Sequence, residues 1–419
     1  MLKSLMPVSL YIHIPFCLKR CVYCDFVSGI YDPGKADAYI SALKKELDSV
    51  PEKQIPPAPP LLKGGISTLY IGGGTPTALS TGALSDLISH IFTRFSFTKG
   101  YEATIEANPG TLESDKLRAM LDAGMNRISI GVQSFNDAEL AFLGRIHTAE
   151  EAAKAFSLAR EAGFDNIGID LIYGIPGQDI EGWKKTLERA LILGPEHIST
   201  YELTVEKGTE LHEYLKNPPS SPFSKGGVCS PLSQRGGWRA PLIKPHLPGE
   251  DKIIEMYEHT IDHLTSNGYE HYEISNFARP GCFSRHNLNY WDRGDYYGAG
   301  LGAHSFISGK RSCNTDSLDE YLGAVPENNS PVRYSEEITE EDAVKEAVFL
   351  GLRKTGGIDV EAFFRRYKIN ILSRYHNEIK YLQEAGLIET TCSACSYETS
   401  LRLTRKGLLL SNEVFMKFM

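Results

Sequence analysis

Short apolar runs alternate with helical patterns through the first half of this chain, and that alternation constrains the fold more than any other feature of the sequence. The runs lie at 8–14, 67–71, 102–106, 127–132, 167–173 and 197–203. Between them, amphipathic patterns near 35–49, 83–97, 113–123, 150–162 and 181–193 read as helices. Strands separated by helices pair in parallel, and the helices then cover the sheet. Right-handed crossovers leave either an open doubly wound sheet or a full or partial (βα) barrel, and periodicity does not choose between them. With 419 residues, 42% of them hydrophobic and 23% charged, the chain can bury a large core in two or three domains.

The second half is less regular. A helix is expected over 251–267 and a strand over 269–274, followed by an aromatic, Gly-rich segment at 276–308. From 337 onward the pattern becomes helices near 341–354, 360–367 and 372–385, a hairpin, and a last helix near 406–416, which suggests a small winged-helix-like α+β unit. Two stretches, 51–65 and 217–249, hold 12 of the 22 prolines and therefore cannot be interior elements. They share a short repeat, PPLLKGG at Pro59, SPFSKGG at Ser221 and SPLSQRGG at Ser230, and read as inserted surface loops, the longer one disordered.

Charge narrows the function. The net charge of −9, without a dense Lys/Arg block, gives no footprint for nucleic acid or an anionic bilayer. No apolar run is long enough to insert stably in a membrane, and the first nine residues, interrupted by Pro7, do not form a signal peptide, so a cytoplasmic protein is expected. Of eight cysteines, three fall within eight residues, which in a reducing compartment points to a metal group rather than disulfides.

That cluster is HIPFCLKRCVYCDF, placing Cys17, Cys21 and Cys24 in a CxxxCxxC loop after the first strand. Three neighbouring thiolates suit an iron–sulfur cluster, whereas tetrahedral zinc would need a fourth ligand from elsewhere. Three thiolates on a four-iron cubane leave one iron open to substrate. IGGGTPT, from Ile71 to Thr77, follows the second run, and its glycines let a ligand approach the backbone closely. Glu106 in IEANPG and Gln133 in SIGVQSF end the third and fourth runs, at the strand ends where α/β sheets build their sites. Asp170, inside the apolar fifth run, is costly to bury unless paired, and Arg145 in LGRIHT is one possible partner.

On these motifs the chain resembles the radical SAM superfamily, and within it the group around oxygen-independent coproporphyrinogen III oxidase, over nearly all its length outside the insertions. The resemblance implies a partial (βα)6 TIM-type barrel carrying a 4Fe–4S cluster on Cys17, Cys21 and Cys24, then a smaller C-terminal domain. It further implies an S-adenosylmethionine (SAM) site: Gly73, Gly74 and Thr75 at the methionine end, Glu106 on the ribose, and Gln133, Arg145 and Asp170 around it. Tyr11 and Tyr23 also match positions near SAM. The implied organisation is a barrel over 1–216, the insertion at 217–249, a barrel-completing segment at 250–325 and a C-terminal domain at 336–419.

Two features separate the subgroups. In the resembling oxidases a further cysteine stands two residues after the third, but here Asp25 and Phe26 follow Cys24. The CDF ending and HNLNYW, from His286 to Trp291, instead resemble the sister group of HemW-like haem chaperones, whose HNxxYW motif is associated with haem. Imidazole is a common axial ligand to haem iron and aromatic rings stack on porphyrin, so His286 is the candidate ligand, with Asn287, Tyr290 and Trp291 around the haem. The implied function is a haem chaperone that carries the cluster and SAM and hands haem to an acceptor, such as a membrane respiratory cytochrome. The alternative is radical decarboxylation of coproporphyrinogen III propionates in porphyrin biosynthesis, for which the same residues would bind SAM. A nucleic-acid-modifying or regulatory member is suggested only by the C-terminal unit, which lacks a basic face. Cys229, Cys282, Cys313 and the lone Cys392–Cys395 pair read as neutral, and His13 and His304 as packing residues.

Overall fold

The computed structural model describes residues 8–50, 65–216, 246–327, 329–392 and 399–419. The two inserted stretches expected at 51–65 and 217–249 lie outside the described residues except at their last positions. All six expected strands are present: β1 (Val8–Ile14), β2 (Ile66–Gly73), β3 (Phe97–Ala107), β4 (Arg127–Gln133), β5 (Ile167–Tyr173) and β6 (His197–Glu202). They lie side by side in chain order, every pair parallel. β1 shows why: in VSLYIHI six of seven residues are buried, so both faces are covered and no polar alternation survives.

The crossovers run through α1 (Pro33–Ser49), α2 (Thr81–Arg94), α3 (Ser114–Asp122), α4 (Ala149–Ala162) and α5 (Ile180–Leu193). Their starts are written locally. Asp32 and Ser80 cap α1 and α2, and Thr148 with Glu151 forms a capping box on α4, which ends at Gly163 in the left-handed region. Fully buried Leu43, Leu87 and Trp183 from the helices meet Ile12, Leu69, Ile105 and Leu171 from the strands. Each such side chain contributes about 1.5–3 kcal/mol by leaving water.

The sheet extends further than the sequence indicated. After α6 (Glu250–Ser266), β7 (Glu270–Glu273) and β8 (Asn276–Ala278) add antiparallel strands beyond β6. At the other edge β9 (Tyr296–Ala299) pairs in parallel with β1, and β10 (His304–Ile307), β11 (Lys310–Asn314) and β12 (Val332–Glu337) follow in antiparallel order. The result is one open 12-stranded sheet, β12-β11-β10-β9-β1-β2-β3-β4-β5-β6-β8-β7. HNLNYW, read as part of an irregular segment, is a helix, α7 (Arg285–Trp291), capped by Ser284.

The C-terminal unit has its own core around Val348, Leu352, Leu382 and Leu401. It contains α8 (Glu340–Leu352), α9 (Val360–Tyr367) and α10 (His376–Glu384), with a three-stranded sheet from Ile358–Asp359, Ile388–Cys392 and Thr399–Leu403. The helix expected over 372–385 is broken at Tyr375, and the last one at Leu410, where the backbone leaves helical angles. Position 336 falls inside β12, so this strand joins the two parts of the chain. Among the described residues no helix is long and apolar enough to cross a membrane.

Candidate functional site

The cysteine loop leaves the end of β1, and its first residues, Phe16–Cys17, form a short parallel ladder with Gly29–Ile30 that fixes the loop over the strand ends. Cys17, Cys21 and Cys24 line a cavity of about 400 Å³ at that end of the sheet. Tyr23, Gly73, Gly74, Thr75, Glu106, Gln133, Arg145 and Asp170 line the same cavity, so the structure gathers residues 153 positions apart in sequence. All three cysteines are free thiols. Burial pushes the Cys17 thiol up and the Cys24 thiol to about 11, while the Arg145 guanidinium donates to Cys21 Sγ at 3.3 Å. Arg145 also opposes the rise at Cys17. Among the described residues no three His, Cys, Asp or Glu side chains converge on one ion.

The glycine loop is laced to the cysteine loop. Gly74 N–H donates to Ile14 O at 2.8 Å, Thr75 N–H to Phe16 O at 2.7 Å, and Thr75 Oγ1 to Cys17 Sγ at 3.5 Å. A Cβ on Gly73, whose φ is +109°, would lie 2.5 Å from the His13 ring, and one on Gly74 would lie 2.8 Å from Phe16 O. Side chains are excluded here by contact. The glycines thus let the loop pack closely on His13 and on the start of the cysteine loop, and Gly73, Gly74 and Thr75 line the cavity beside the thiols.

Glu106 accepts from Tyr70 Oη at 2.7 Å and from Gly73 N–H at 3.1 Å, and burial pushes its carboxyl up to about 7. Gln133 stands at φ +68°, a conformation uncommon outside glycine, where the β4–β5 register shifts. Asp170 accepts from Ser129 Oγ at 3.3 Å, and burial raises its carboxyl while a hydrogen bond from Ser199 opposes the rise. The expected Arg145–Asp170 pair does not form: Arg145 instead donates to Cys21 and, at 2.6 Å, to Gly131 O. Sequence reasoning missed Tyr70, Arg127 and His197, which also line the cavity. Arg127 is 2% exposed and bonds only weakly to Thr104 Oγ1, at 3.4 Å; its one sequence signal is a charge opening an apolar strand.

The HNLNYW helix stands between this cavity and a second one of about 410 Å³. Asn287 lines the first, and Tyr290 and Trp291 line the second. Tyr11 lines the second as well, not the SAM-type cavity where it was expected, because its side chain turns towards His13. His286 is 1% exposed, its Nδ1 lies 2.8 Å from Thr68 Oγ1 and its Nε2 2.9 Å from Tyr290 Oη. Thr68 directs its own proton to Ser9 Oγ, so Nδ1 donates and Nε2 accepts from Tyr290. Both nitrogens are occupied, and burial pushes the ring down to about 3, so it is neutral. In this arrangement His286 is a strut between β2 and the helix, with both ring nitrogens engaged in hydrogen bonds. Its ring also stacks 5.1 Å from Tyr70, linking the walls of the two cavities.

Comparison with known proteins agrees with this geometry. The model of the Radical SAM superfamily matches residues 11–190, and that of the HemN C-terminal domain matches residues 338–410. Heme chaperone HemW of Bacillus subtilis is 36% identical, covering 98% of this chain and 99% of that protein. Heme chaperone HemW of Escherichia coli is 39% identical over 73% of this chain and 71% of that protein. Among solved structures, coproporphyrinogen III oxidase (HemN) from Escherichia coli, described as a radical SAM enzyme, superposes with a TM-score of 0.77 at 26% identity, covering 99% of this chain and 91% of that one.

Proposed function

The chain belongs to the HemW heme chaperone family within the radical SAM superfamily, and on that premise we propose that it binds haem, carries a 4Fe–4S cluster and SAM, and passes haem to an acceptor protein. The observation that carries this reading is the placement of the HNLNYW helix, which contributes one residue to the thiol-lined cavity and two to an aromatic cavity beside it. When bound, the cluster supplies a low-potential electron and an open iron able to take the amino and carboxylate groups of SAM.

The chain's own residues do the rest. Cys17, Cys21 and Cys24 hold the cluster, and Arg145 balances the charge of Cys21. Gly73, Gly74 and Thr75, which line the cavity beside the thiols, form the wall for the methionine group. Glu106, once deprotonated, accepts from the ribose hydroxyls, and the phenol of Tyr70 keeps that carboxylate aimed. Gln133, Asp170 and Tyr23 close the cavity around the nucleoside. An acceptor protein, such as a membrane respiratory cytochrome, would receive the haem, and the chaperone would work in the cytoplasm.

Decarboxylation of coproporphyrinogen III is the second reading, favoured by the overlay on the oxidase. Against it stand Asp25 and Phe26, where those oxidases carry a further cysteine. The deciding assay incubates anaerobically reconstituted protein with SAM and reductant, separately with haem and with coproporphyrinogen III. A stoichiometric Soret shift with haem and no decarboxylated product is expected. Turnover to protoporphyrinogen would replace the chaperone reading with the oxidase.

A further inference from the structure

We propose that the second cavity is the haem seat and that His304, not His286, presents the imidazole to the iron; this rests on the haem reading above. The cavity lies between one face of the β9–β12 flap and the helices α7 and α8. Cross-strand register decides what that face shows. Tyr296 stands opposite Phe306, Phe306 opposite Arg311, and His304 opposite Cys313, so these side chains share one side of the sheet. Tyr290, Trp291 and Phe349 close the other side. A slot of about 410 Å³ with aromatic rings on both walls suits a flat, largely apolar macrocycle.

Three histidines lie in or beside this cavity, and their hydrogen bonds rank them. His13 has Nδ1 at 3.0 Å from Tyr11 Oη and Nε2 at 2.7 Å from Val27 O, so it is closed. His286 is closed by Thr68 and Tyr290. His304 is exposed, and among the described residues its one hydrogen-bond contact is Nε2 with Cys313 Sγ at 3.3 Å, a weak partner that iron would displace.

An unpaired guanidinium N–H at the rim adds to the fit. Arg293 and Arg311 both line the cavity and share the carboxylate of Glu346, at 2.7 and 2.6 Å, and Arg311 pairs in addition with Glu336 at 3.1 Å. The Arg293 side chain is only 9% exposed and its Nη2 has no hydrogen-bond partner. A buried guanidinium N–H left unsatisfied is costly, and a propionate carboxylate is the group that would satisfy it.

Reconstituted full-length protein is titrated with ferric haem, followed by the Soret band and by EPR of the haem iron. His304→Ala should weaken binding about tenfold and change the spin state, and free imidazole should restore the wild-type spectrum. Arg293→Gln should weaken haem but not haem dimethyl ester, which lacks propionate charge. Unchanged cluster iron and sulfide and an unchanged thermal transition confirm that both variants fold. Wild-type affinity and spectrum in His304→Ala, without an imidazole effect, would overturn the seat while leaving haem binding intact. Wild-type protein that binds no haem would instead defeat the reading on which it rests.

Discussion

The two cavities are nearly equal in size, about 400 and 410 Å³, yet they differ in lining. The first sits where successive parallel strands end, and it alone carries the three thiols, beside carboxylates, guanidinium groups and glycine backbone. The second sits on the face of an antiparallel flap, and six of its fourteen lining residues are Tyr, Trp or Phe. The contrast lies in how each wall is made: strand-end loops can vary freely and converge, whereas a sheet face offers a flat wall fixed by register. The HNLNYW helix, with His286 as a strut, is the partition between them.

The largest effect that would test this separation is on the thiol side. Cys21→Ala should abolish the cluster, measured as iron and sulfide content and visible absorption, because two protein thiolates do not retain a stable cubane. Haem uptake in the second cavity should survive. Loss of both together would join the two sites into one.

A smaller effect is expected from His286→Phe. The variant leaves Thr68 Oγ1 and Tyr290 Oη without their partner and should cost about 1–3 kcal/mol in denaturant unfolding. The haem spectrum should keep its axial-ligand signature. If stability held while that signature vanished, His286 would be the ligand and the strut role would fall.

The smallest effect concerns pH. Glu106 has a folded value near 7 against an ordinary 4.5, so the folded state holds the extra proton between those values. Folding stability from this group is therefore fully present below about pH 4.5 and declines as pH rises towards 7. SAM needs the carboxylate as acceptor, so its affinity should rise across the same window and level off above it. Calorimetric titration should show that slope in the wild type and none in Glu106→Gln; equal slopes would remove Glu106 from the ribose.

Much of the parallel half was legible because its signals are local. Buried strand runs, amphipathic helices with caps, and loops at strand ends all lie within a few residues of one another, so 8–14 and 167–173 match β1 and β5 in full. The flap at 296–337 was not legible. Its strands have four to six residues and mixed composition, and they exist only through pairing with β1 and with each other. The break at Tyr375 likewise leaves the apolar period intact while the backbone turns.

The same division holds for the sites. Spacing alone brought Cys17, Cys21 and Cys24 to one cavity, because a motif of eight residues cannot place its thiols far apart. By itself the sequence also determined the alternation that makes a parallel sheet and the glycine wall beside those thiols. Tertiary structure decided which histidine is closed and which is open, where Tyr11 points, and that Arg145 serves Cys21 rather than Asp170. Those outcomes depend on hydrogen-bond partners up to 218 residues away, as between Thr68 and His286, and no local pattern encodes a partner at that distance.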